Sequence, residues 1–309
     1  MGRHPLYFHA THANRLSLPQ TLNIIGPGRV GRTLATLWKR AGVFAIQDVL
    51  SGAPESARTA VASIGTGDPV ARVEDMRAAD VWMLTTPDDR IVECAAALAA
   101  TGALRAGDVV FHCSGALSST ELLPAGLRGA HAASIHPVKS FAEPVSAVSG
   151  FAGTWCAAEG HAAALAVLEP AFEQIGARIT RIDAASKLVY HAGSVIVSNY
   201  LVALMDAGLR CYERAGIPRG SATLMMEPLV RETADNVFQL GTGEALTGPI
   251  ARGDEALVAQ QLHELAKWDA DIAGLYRALG AIAVDIARGQ GESNAAALER
   301  IRHLLRSGE

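Results

Sequence analysis

The 309-residue chain is predicted to be an α/β protein in which a mostly parallel, doubly wound sheet is followed by an all-α domain. In the first part of the chain, short apolar runs typical of buried strands alternate with stretches whose apolar residues recur at helical spacing. In the second part only the helical spacing continues. We therefore expect residues 21–182 to form the sheet domain and residues 183–309 to form a helical domain.

The composition narrows the possible classes of function. Half of the residues are hydrophobic and the formal net charge is only −4, so nothing in the overall charge favours a nucleic-acid or membrane partner. The four cysteines are widely spaced without a C-x-x-C pair, so neither a metal site nor a disulfide framework is indicated, and we expect a cytoplasmic protein. Residues 1–20 do not form a signal peptide and are expected to be a disordered leader. No apolar run reaches the roughly 18 residues of a membrane-spanning helix.

A glycine-rich turn lies at the start of the sheet domain. The run Gly26-Pro27-Gly28-Arg29-Val30-Gly31 follows an apolar strand at Leu22–Ile25 and precedes a segment with helical spacing. In this context Gly26 permits the tight turn, Gly28 leaves room for a pyrophosphate, and Gly31 lets the helix pack against the strand. The amides of the first helical turn, including those of Arg29 and Val30, would face the phosphates. The sequence therefore predicts a dinucleotide site here.

The end of the second strand bears on which dinucleotide is bound. An Asp or Glu at this place usually holds the ribose 2′-hydroxyl of NAD. This chain has Ser51 and Gly52 instead, followed by Arg58, which could attract a 2′-phosphate. NADP is therefore favoured over NAD, although Arg58 could equally be a solvated helix residue.

Three further strands each end in polar or glycine residues. The carboxyl ends of parallel strands meet at one edge of a sheet, where ligands of open α/β folds lie. We expect these residues to line that edge beside the nicotinamide or the substrate: Thr86 and Pro87 after the first strand, Ser114 and Gly115 after the second, and His136 with Lys139 after the third.

Polar groups on the first long helix of the helical domain are candidates for proton transfer. Lys187 and His191 are four residues apart and would share one face of a helix that is expected to run from about Asp183 to Ala215. Asn199 would lie near the same stripe, whereas Tyr190 is interpreted as packing. Alternatively, Lys187 is solvated at the start of the helix, and the ring nitrogens of His191 have hydrogen-bond partners in the protein core.

The rest of the helical domain offers one candidate ligand. Arg252, in the turn Thr247–Asp254, could bind a substrate carboxylate or could only stabilise the turn, while Asp254 would cap the next helix. Further helical patterns cover residues 219–240, 254–288 and 294–305. The strongly apolar first helix would pack between the domains or across the interface of a homodimer.

Several segments together resemble a known group, the Rossmann-like proteins with a C-terminal domain of unknown function 2520, which are often labelled NADP-dependent oxidoreductases. More distantly, the layout of the chain is similar to that of the 6-phosphogluconate and β-hydroxyacid dehydrogenases, ketopantoate reductase and pyrroline-5-carboxylate reductase. It implies a Rossmann domain before a helical, often dimerising, domain. In β-hydroxyacid dehydrogenases a helix-borne lysine is followed one turn later by asparagine, whereas here His191 takes that position. The segments are the glycine turn, His112-Cys113-Ser114-Gly115, His136-Pro137, the 187–199 helix and the 247–254 turn.

The resulting hypothesis is an NADP-dependent oxidoreductase that transfers hydride to or from a small oxo or hydroxy acid. Lys187 would be the general acid or base and His191 would share the proton, with Asn199 and Ser114 orienting the substrate. Arg252 or Lys139 would hold its carboxylate. The alternatives are a non-catalytic NADP(H)-binding redox sensor, an imine reductase similar to pyrroline-5-carboxylate reductase, and a dimerisation protein with a decayed nucleotide site.

Overall fold

The structure, a computed structural model, describes residues 19–141, 144–290 and 295–306. Residues 1–18 of the predicted leader lie outside the described residues. The chain separates into two compact units, Met1–Val197 and Ser198–Glu309. The last strand ends at Arg181, close to the boundary of 182 expected from the sequence, but the helix that follows belongs to the first unit.

The first unit is built on one mostly parallel sheet, as the sequence predicted. Its described strands are β1 (Thr21–Ile25), β2 (Ala45–Leu50), β3 (Asp68–Val70), β4 (Val81–Leu84), β5 (Val109–His112), β6 (His131–Pro137), β7 (Trp155–Gly160) and β8 (Arg178–Arg181). They lie in the order β3-β2-β1-β4-β5-β6-β7-β8, and all neighbouring strands are parallel except β6 and β7. The short strand β3 was not expected, because a Pro-containing segment of three residues carries no strand periodicity.

Helices cover both faces of the sheet, and each face has its own core. On one face Trp38 is fully buried, donates its indole N–H to the carbonyl of Ala171 at 2.8 Å, and meets Phe172 edge-on. Trp82 belongs to the core of the opposite face. Apolar side chains on both faces explain why the strands are continuous apolar runs. The helices are α1 (Arg29–Ala41), α2 (Pro54–Ile64), α3 (Ile91–Ala100), α4 (Leu123–Gly126), α5 (Pro144–Ser149), α6 (Ala162–Glu173) and α7 (Lys187–Val197).

The second unit is helical, as predicted, but two of the long helices that the sequence patterns suggested are divided, whereas the pattern over 219–240 extends to Ala245. The expected helix to Ala215 is interrupted by a turn at Ser198, and the pattern over 254–288 divides at Asp269, whose backbone is extended. Asp254 caps its helix as predicted, accepting a hydrogen bond from the amide of Leu257 at 3.2 Å. The helices are α8 (Asn199–Arg214), α9 (Arg219–Ala245, kinked at Gly241), α10 (Glu255–Trp268), α11 (Ala270–Gln290) and α12 (Ala295–Arg306).

One helical stretch corrects the expectation that no apolar run is long enough to span a membrane. By length and composition alone, Ala184–Arg214 could cross a membrane, and none of its most apolar window is buried within the chain. Such a stretch is only a weak indication, because core helices of soluble proteins pass the same test. Exposed apolar surface of this kind is often covered by a partner in other proteins.

A buried carboxylate fastens β2 to the segment before β4. The side chain of Asp48 is almost fully buried and accepts hydrogen bonds from the backbone amide of Arg77 at 2.6 Å and from its Nε at 3.0 Å. Asn23 completes the cluster by accepting from the amide of Asp48 and donating to the carbonyl of Arg77. The packing of three segments that are distant in sequence therefore depends on the Asp48 carboxylate, whose charge is compensated by Arg77.

We expect Arg77→Met to lower the free energy of unfolding by about 3 kcal/mol, because it leaves the Asp48 carboxylate buried without its cation. Urea denaturation of the purified protein measures the loss. Arg72→Met is the matched control, because Arg72 pairs with Asp75 at the surface. That control should change stability by no more than about 0.5 kcal/mol. Equal losses in the two variants would contradict a special role for the Asp48 cluster.

Candidate functional site

The glycine turn after β1 has the shape of a phosphate cradle. Gly26 has a φ of +75°, which favours glycine, and a Cβ there would overlap Thr86. At Gly28 the nearest atom to an added Cβ would be the carbonyl oxygen of Thr85 at 3.6 Å, so this side of the turn is open. A Cβ at Gly31 would overlap the Thr85 hydroxyl, so α1 packs closely on the end of β4. The turn at Gly26, the open side at Gly28 and the close packing at Gly31 suit the roles predicted for these glycines.

The first turn of α1 supplies donors to this cradle. The amides of Arg29, Val30 and Gly31 lie before the first intrahelical hydrogen bond, which the amide of Arg32 makes to the carbonyl of Gly28. No acidic side chain lies in that turn to compete for them. The free amides and the positive end of the helix dipole suit a pyrophosphate.

A cavity of about 890 Å³ opens above the cradle, at the carboxyl ends of β1, β2 and β4. It brings together five residues that the sequence assigned to the cofactor: Gly26, Gly28, Ser51, Thr86 and Pro87. Its size is that of a site for a large organic ligand. The open face at Gly28 and the free helix amides both fit a dinucleotide phosphate.

Arg58, the predicted partner of a 2′-phosphate, does not line this cavity. Its guanidinium lies 2.6 Å from Glu55 at the surface. Three other guanidinium side chains line the cavity instead, those of Arg32, Arg72 and Arg90. The lining also carries the acidic side chains of Glu55 and Glu74, and two of the three guanidinium groups are paired with carboxylates beside the cavity, Arg72 with Asp75 and Arg90 with Glu93.

Ser114, at the end of β5, is tied into the turn that follows it. Its hydroxyl donates to Asp88 at 2.7 Å and accepts from the backbone amides of Ala116 and Leu117. Because Asp88 directly follows Pro87 of the cavity lining, this bond connects the end of β5 with the loop after β4. The side chain is buried and its hydroxyl takes part in these three hydrogen bonds, so Ser114 stabilises the edge of the sheet rather than offering a free hydroxyl to a ligand.

The ammonium of Lys187 is buried beneath the sheet edge. The side chain is 1% exposed, and Nζ donates to the hydroxyl of Ser134 on β6 and to Glu159 on β7, the latter at 3.3 Å. Glu159 also accepts from the amide and hydroxyl of Ser119 at 2.8 and 2.7 Å. Burial lowers the pKa of Lys187. The sequence hypothesis gave this ammonium a role in proton transfer, with a solvated position as the alternative, whereas the structure buries it in contact with β6 and β7 at the start of α7.

His112, at the end of β5, is fully buried beside this pair. Its Nε2 lies 3.1 Å from the carbonyl of Ser118, and its Nδ1 accepts from the amide of Ser114 at 3.2 Å. Burial and the nearby Lys187 charge lower the pKa of His112 to about 4, so the ring is neutral at pH 7. These bonds give His112 a structural role.

Two histidine side chains lie beside Gly115 at the carboxyl ends of β5 and β6, and Tyr190 contacts one of them. His136 Nδ1 lies 2.8 Å from the Tyr190 hydroxyl, and the centroids of the His136 and His191 rings are 5.9 Å apart. An added Cβ at Gly115 would lie 2.5 Å from His191 Nδ1 and 2.9 Å from His136 Nε2, so a larger residue would displace these rings. The structure thus brings together two predicted residues, His136 and His191, with Tyr190, which was interpreted as packing.

Three of the predicted site residues remain, one in the first unit and two in the second. Lys139 follows β6 and is half-buried, and no ion pair of its side chain is seen in the described part of the chain. Asn199 is exposed and begins α8 in the second unit, because the helix is interrupted at Ser198. Arg252 is exposed in a turn of the second unit.

Sequence reasoning missed four residues of this region: Asp88, Ser134, Glu159 and Tyr190. The sequence could have indicated a role for Glu159, because a carboxylate at the end of the apolar run Cys156–Ala158 is expected to be buried and then needs a partner. Tyr190 neighbours His191 in the sequence, but only the position of His136 on β6 gives its hydroxyl a partner.

Comparison with known proteins supports the organisation seen in the structure. Residues 10–137 match the model of the Rossmann-like domain, and residues 154–282 match that of a domain of unknown function (DUF2520). Comparison with the curated proteins gave no match.

Solved structures share the fold over most of the chain. Protein TM1727 from Thermotoga maritima is 27% identical with a TM-score of 0.71, and the match covers 88% of this chain and 100% of that one. The protein named putative NADP oxidoreductase BF3122 from Bacteroides fragilis is 22% identical with a TM-score of 0.66, covering 85% and 96%. A pyrroline-5-carboxylate reductase from Coxiella burnetii is 13% identical with a TM-score of 0.56, covering 92% and 98%.

Other structures with this fold hold NADP in one case and NAD+ in another. The fold is therefore one that oxidoreductases with nicotinamide cofactors use. On the two family models and the geometry above, this chain is a Rossmann-like protein with a C-terminal DUF2520 domain.

Proposed function

We propose that the protein is an NADP-dependent oxidoreductase that transfers hydride between nicotinamide and a small oxo or hydroxy acid. The observation that supports this most is the order of the strands along one edge of the sheet. β1, β4, β5 and β6 are consecutive parallel neighbours, so their carboxyl ends lie side by side. The phosphate cradle is at one end of this series and the Gly115 cluster of His136, Tyr190 and His191 is at the other.

Each part of the edge has a role in this proposal. The cradle amides hold the pyrophosphate, and Ser51 lies at the adenosine end. Thr86 and Pro87 lie on the way from the cradle towards β5. The bound nicotinamide supplies or accepts the hydride, and the protein must place the substrate and move one proton. His191 is the proposed proton donor and acceptor, and Lys139 and Arg252 remain candidates for the substrate carboxylate.

The choice of NADP rests on the charges around the cavity. Arg72 lies on the lining, whereas Arg58, the residue proposed from sequence, does not. A guanidinium binds a phosphate by charge-assisted hydrogen bonds and gains little from a ribose hydroxyl. We therefore propose Arg72 in place of Arg58 as a contact of the 2′-phosphate.

We expect Arg72→Gln to weaken NADPH binding by about tenfold, which corresponds to about 1.4 kcal/mol, and to leave NADH binding nearly unchanged. Fluorescence titration or calorimetry with each cofactor measures both. Arg58→Gln is the matched control, because it also breaks a surface pair with a carboxylate but lies off the lining. Tighter binding of NADH than of NADPH by the unaltered protein would refute the preference.

The buried pair of Lys187 and Glu159 is proposed to hold α7, and with it Tyr190 and His191, against β6 and β7. Removing one member leaves the other charge buried and uncompensated. Loss of activity in a Lys187 variant therefore does not by itself show that the amine takes part in proton transfer.

We expect Lys187→Met to lower the free energy of unfolding by about 3 kcal/mol, because Glu159 keeps only the Ser119 donors. Combining it with Glu159→Gln should recover most of that loss, since no charge is then buried. Chemical denaturation measures both effects. Lys267→Met, which removes an exposed pair with Glu264, is the control and should be nearly neutral. A stable single variant would show that the pair does not anchor α7.

An imine reductase is the second candidate, because the chain shares its fold with pyrroline-5-carboxylate reductase. The two candidates differ in the atom that receives the proton, which is oxygen in one and nitrogen in the other. Reduction of 1-pyrroline-5-carboxylate in preference to 2-oxo acids would favour the imine reductase. Tight NADPH binding without turnover of either would favour a redox sensor.

We also propose a cytoplasmic homodimer formed through the helical unit. α8 and α9 expose many large apolar side chains, among them Leu224 at 73% and Phe238 at 86%. Apolar surface of this extent is usually covered by a partner. A second copy suits it better than a bilayer, because the apolar stretch is broken at Ser198 and carries Asp206 and Arg210.

In sedimentation velocity we expect the unaltered protein to be a dimer and the variant Leu224→Lys/Phe238→Lys to be a monomer, because two charges would be buried at the interface. Leu127→Lys is the control, since this side chain is equally exposed but lies on the first unit. A monomeric unaltered protein, or one recovered with detergent micelles only, would exclude the proposed dimer.

A further inference from the structure

One carboxylate in the loop after β4 has a fixed direction and a free oxygen. Oδ2 of Asp88 accepts a hydrogen bond from the Ser114 hydroxyl at 2.7 Å. That hydroxyl is held in turn by the backbone amides of Ala116 and Leu117, at 3.2 and 2.9 Å. In the described part of the chain Oδ1 of Asp88 has no hydrogen-bond partner, and the residue is exposed. The carboxylate is therefore oriented in advance, with one oxygen open to a donor from outside the chain.

The charge of Asp88 limits which ligand atoms suit it. Within residues 19–141, 144–290 and 295–306, no cation forms an ion pair with its side chain. Its charge acts on Lys187, but that ammonium is already paired with Glu159. A carboxylate repels phosphate groups and only accepts hydrogen bonds. The ligand atoms suited to Asp88 are thus hydrogen-bond donors such as hydroxyl groups.

Asp88 lies at the rim of the cavity above the phosphate cradle. Pro87 and Arg90, which flank it in the sequence, both line the cavity, whereas Asp88 does not. Thr86, two residues earlier, is the residue that a Cβ at Gly26 of the cradle would overlap. Two peptide units span at most about 7.6 Å, so Asp88 is close to the cradle. Because its hydrogen-bond partner follows β5, Asp88 lies between the cradle and the end of that strand.

The order of the strands places Asp88 on one side of the cradle and the proposed adenosine end on the other. Ser51 follows β2, the cradle follows β1 and Asp88 follows β4, and these strands are neighbours in the order β2-β1-β4. Beyond the pyrophosphate of a dinucleotide comes the second ribose, which carries two neighbouring hydroxyl groups. In Rossmann domains a carboxylate commonly binds a ribose hydroxyl at the adenosine end. This chain has Ser51 in that place and a carboxylate on the opposite side.

We propose that Asp88 binds the hydroxyl groups of the nicotinamide ribose and that Ser114 is a positioning residue that orients the carboxylate. Oδ1 of Asp88 accepts from a ribose hydroxyl, while Oδ2 keeps its bond to Ser114. The inference rests on the proposed NADP-dependent function and adds a contact for the half of the cofactor that carries the reactive ring. Ser114 then acts through Asp88, in place of the direct contact expected from sequence.

Binding of three ligands that share the adenosine half tests the inference without a substrate. NADP+ has the second ribose and the nicotinamide, 2′-phospho-ADP-ribose has the second ribose only, and 2′,5′-ADP has neither. We expect Asp88→Ala to weaken binding of the first two about tenfold, because a charge-assisted hydrogen bond is lost. Its affinity for 2′,5′-ADP should stay the same, which also shows that the variant is folded. Calorimetry of the purified full chain measures each dissociation constant.

Two further variants separate the carboxylate from its surroundings. Asp89→Ala is the matched control, because Asp89 is the next residue, is also exposed and has no side-chain hydrogen bond in the described part of the chain. It should leave all three affinities unchanged. Ser114→Ala should weaken the same two ligands as Asp88→Ala by a smaller factor, since the carboxylate is still present but is no longer oriented.

An unchanged affinity of Asp88→Ala for NADP+ would overturn the inference. A loss seen with NADP+ but not with 2′-phospho-ADP-ribose would also overturn it, because Asp88 would then contact the nicotinamide and not the ribose. Equal weakening of all three ligands would do the same, since it would reflect a change in the whole loop. Each of these results leaves the proposed function standing. An unaltered protein that binds none of the three ligands would refute the proposed function itself, and the inference with it.

Discussion

The buried ammonium of Lys187 is the interaction on which the candidate site depends. It bonds to Ser134 on β6 and Glu159 on β7, so the first helix after the sheet is fixed by a compensated charge. Removing such a charge from water is costly unless every partner is present. The same bonds set the rotation of α7, which brings Tyr190 and His191 to the end of β6.

A second constraint is the parallel order of the central strands. Parallel neighbours end at the same edge, so residues that are distant in the sequence collect there. The cradle at Gly26–Gly31, the Asp88–Ser114 bond and the cluster at Gly115 follow one another along the edge. One row of strand ends therefore carries a cradle of backbone amides at one end and a pair of imidazoles at the other, and the proposed function would place the dinucleotide and the substrate along this row.

The helical unit has a different physical character. Its described core is small, and α8 and α9 leave large apolar side chains exposed. Helices of this composition gain most of their stability from packing an apolar face against a partner. The proposed homodimer would cover this exposed apolar surface.

The sequence by itself determined the α/β fold, the glycine cradle, the strand ends that line the site and the cap at Asp254, because these follow from local periodicity and short-range chemistry. It also pointed to His136 and His191. Only the tertiary structure decided that Lys187 is an anchor, that Arg72 and not Arg58 lines the cavity, and that Tyr190 meets His136. These depend on pairing between segments tens of residues apart and on the break at Ser198, which separates Asn199 from the stripe predicted for it. Helical spacing fixes which side chains share a face, but not which way that face is turned in the folded protein.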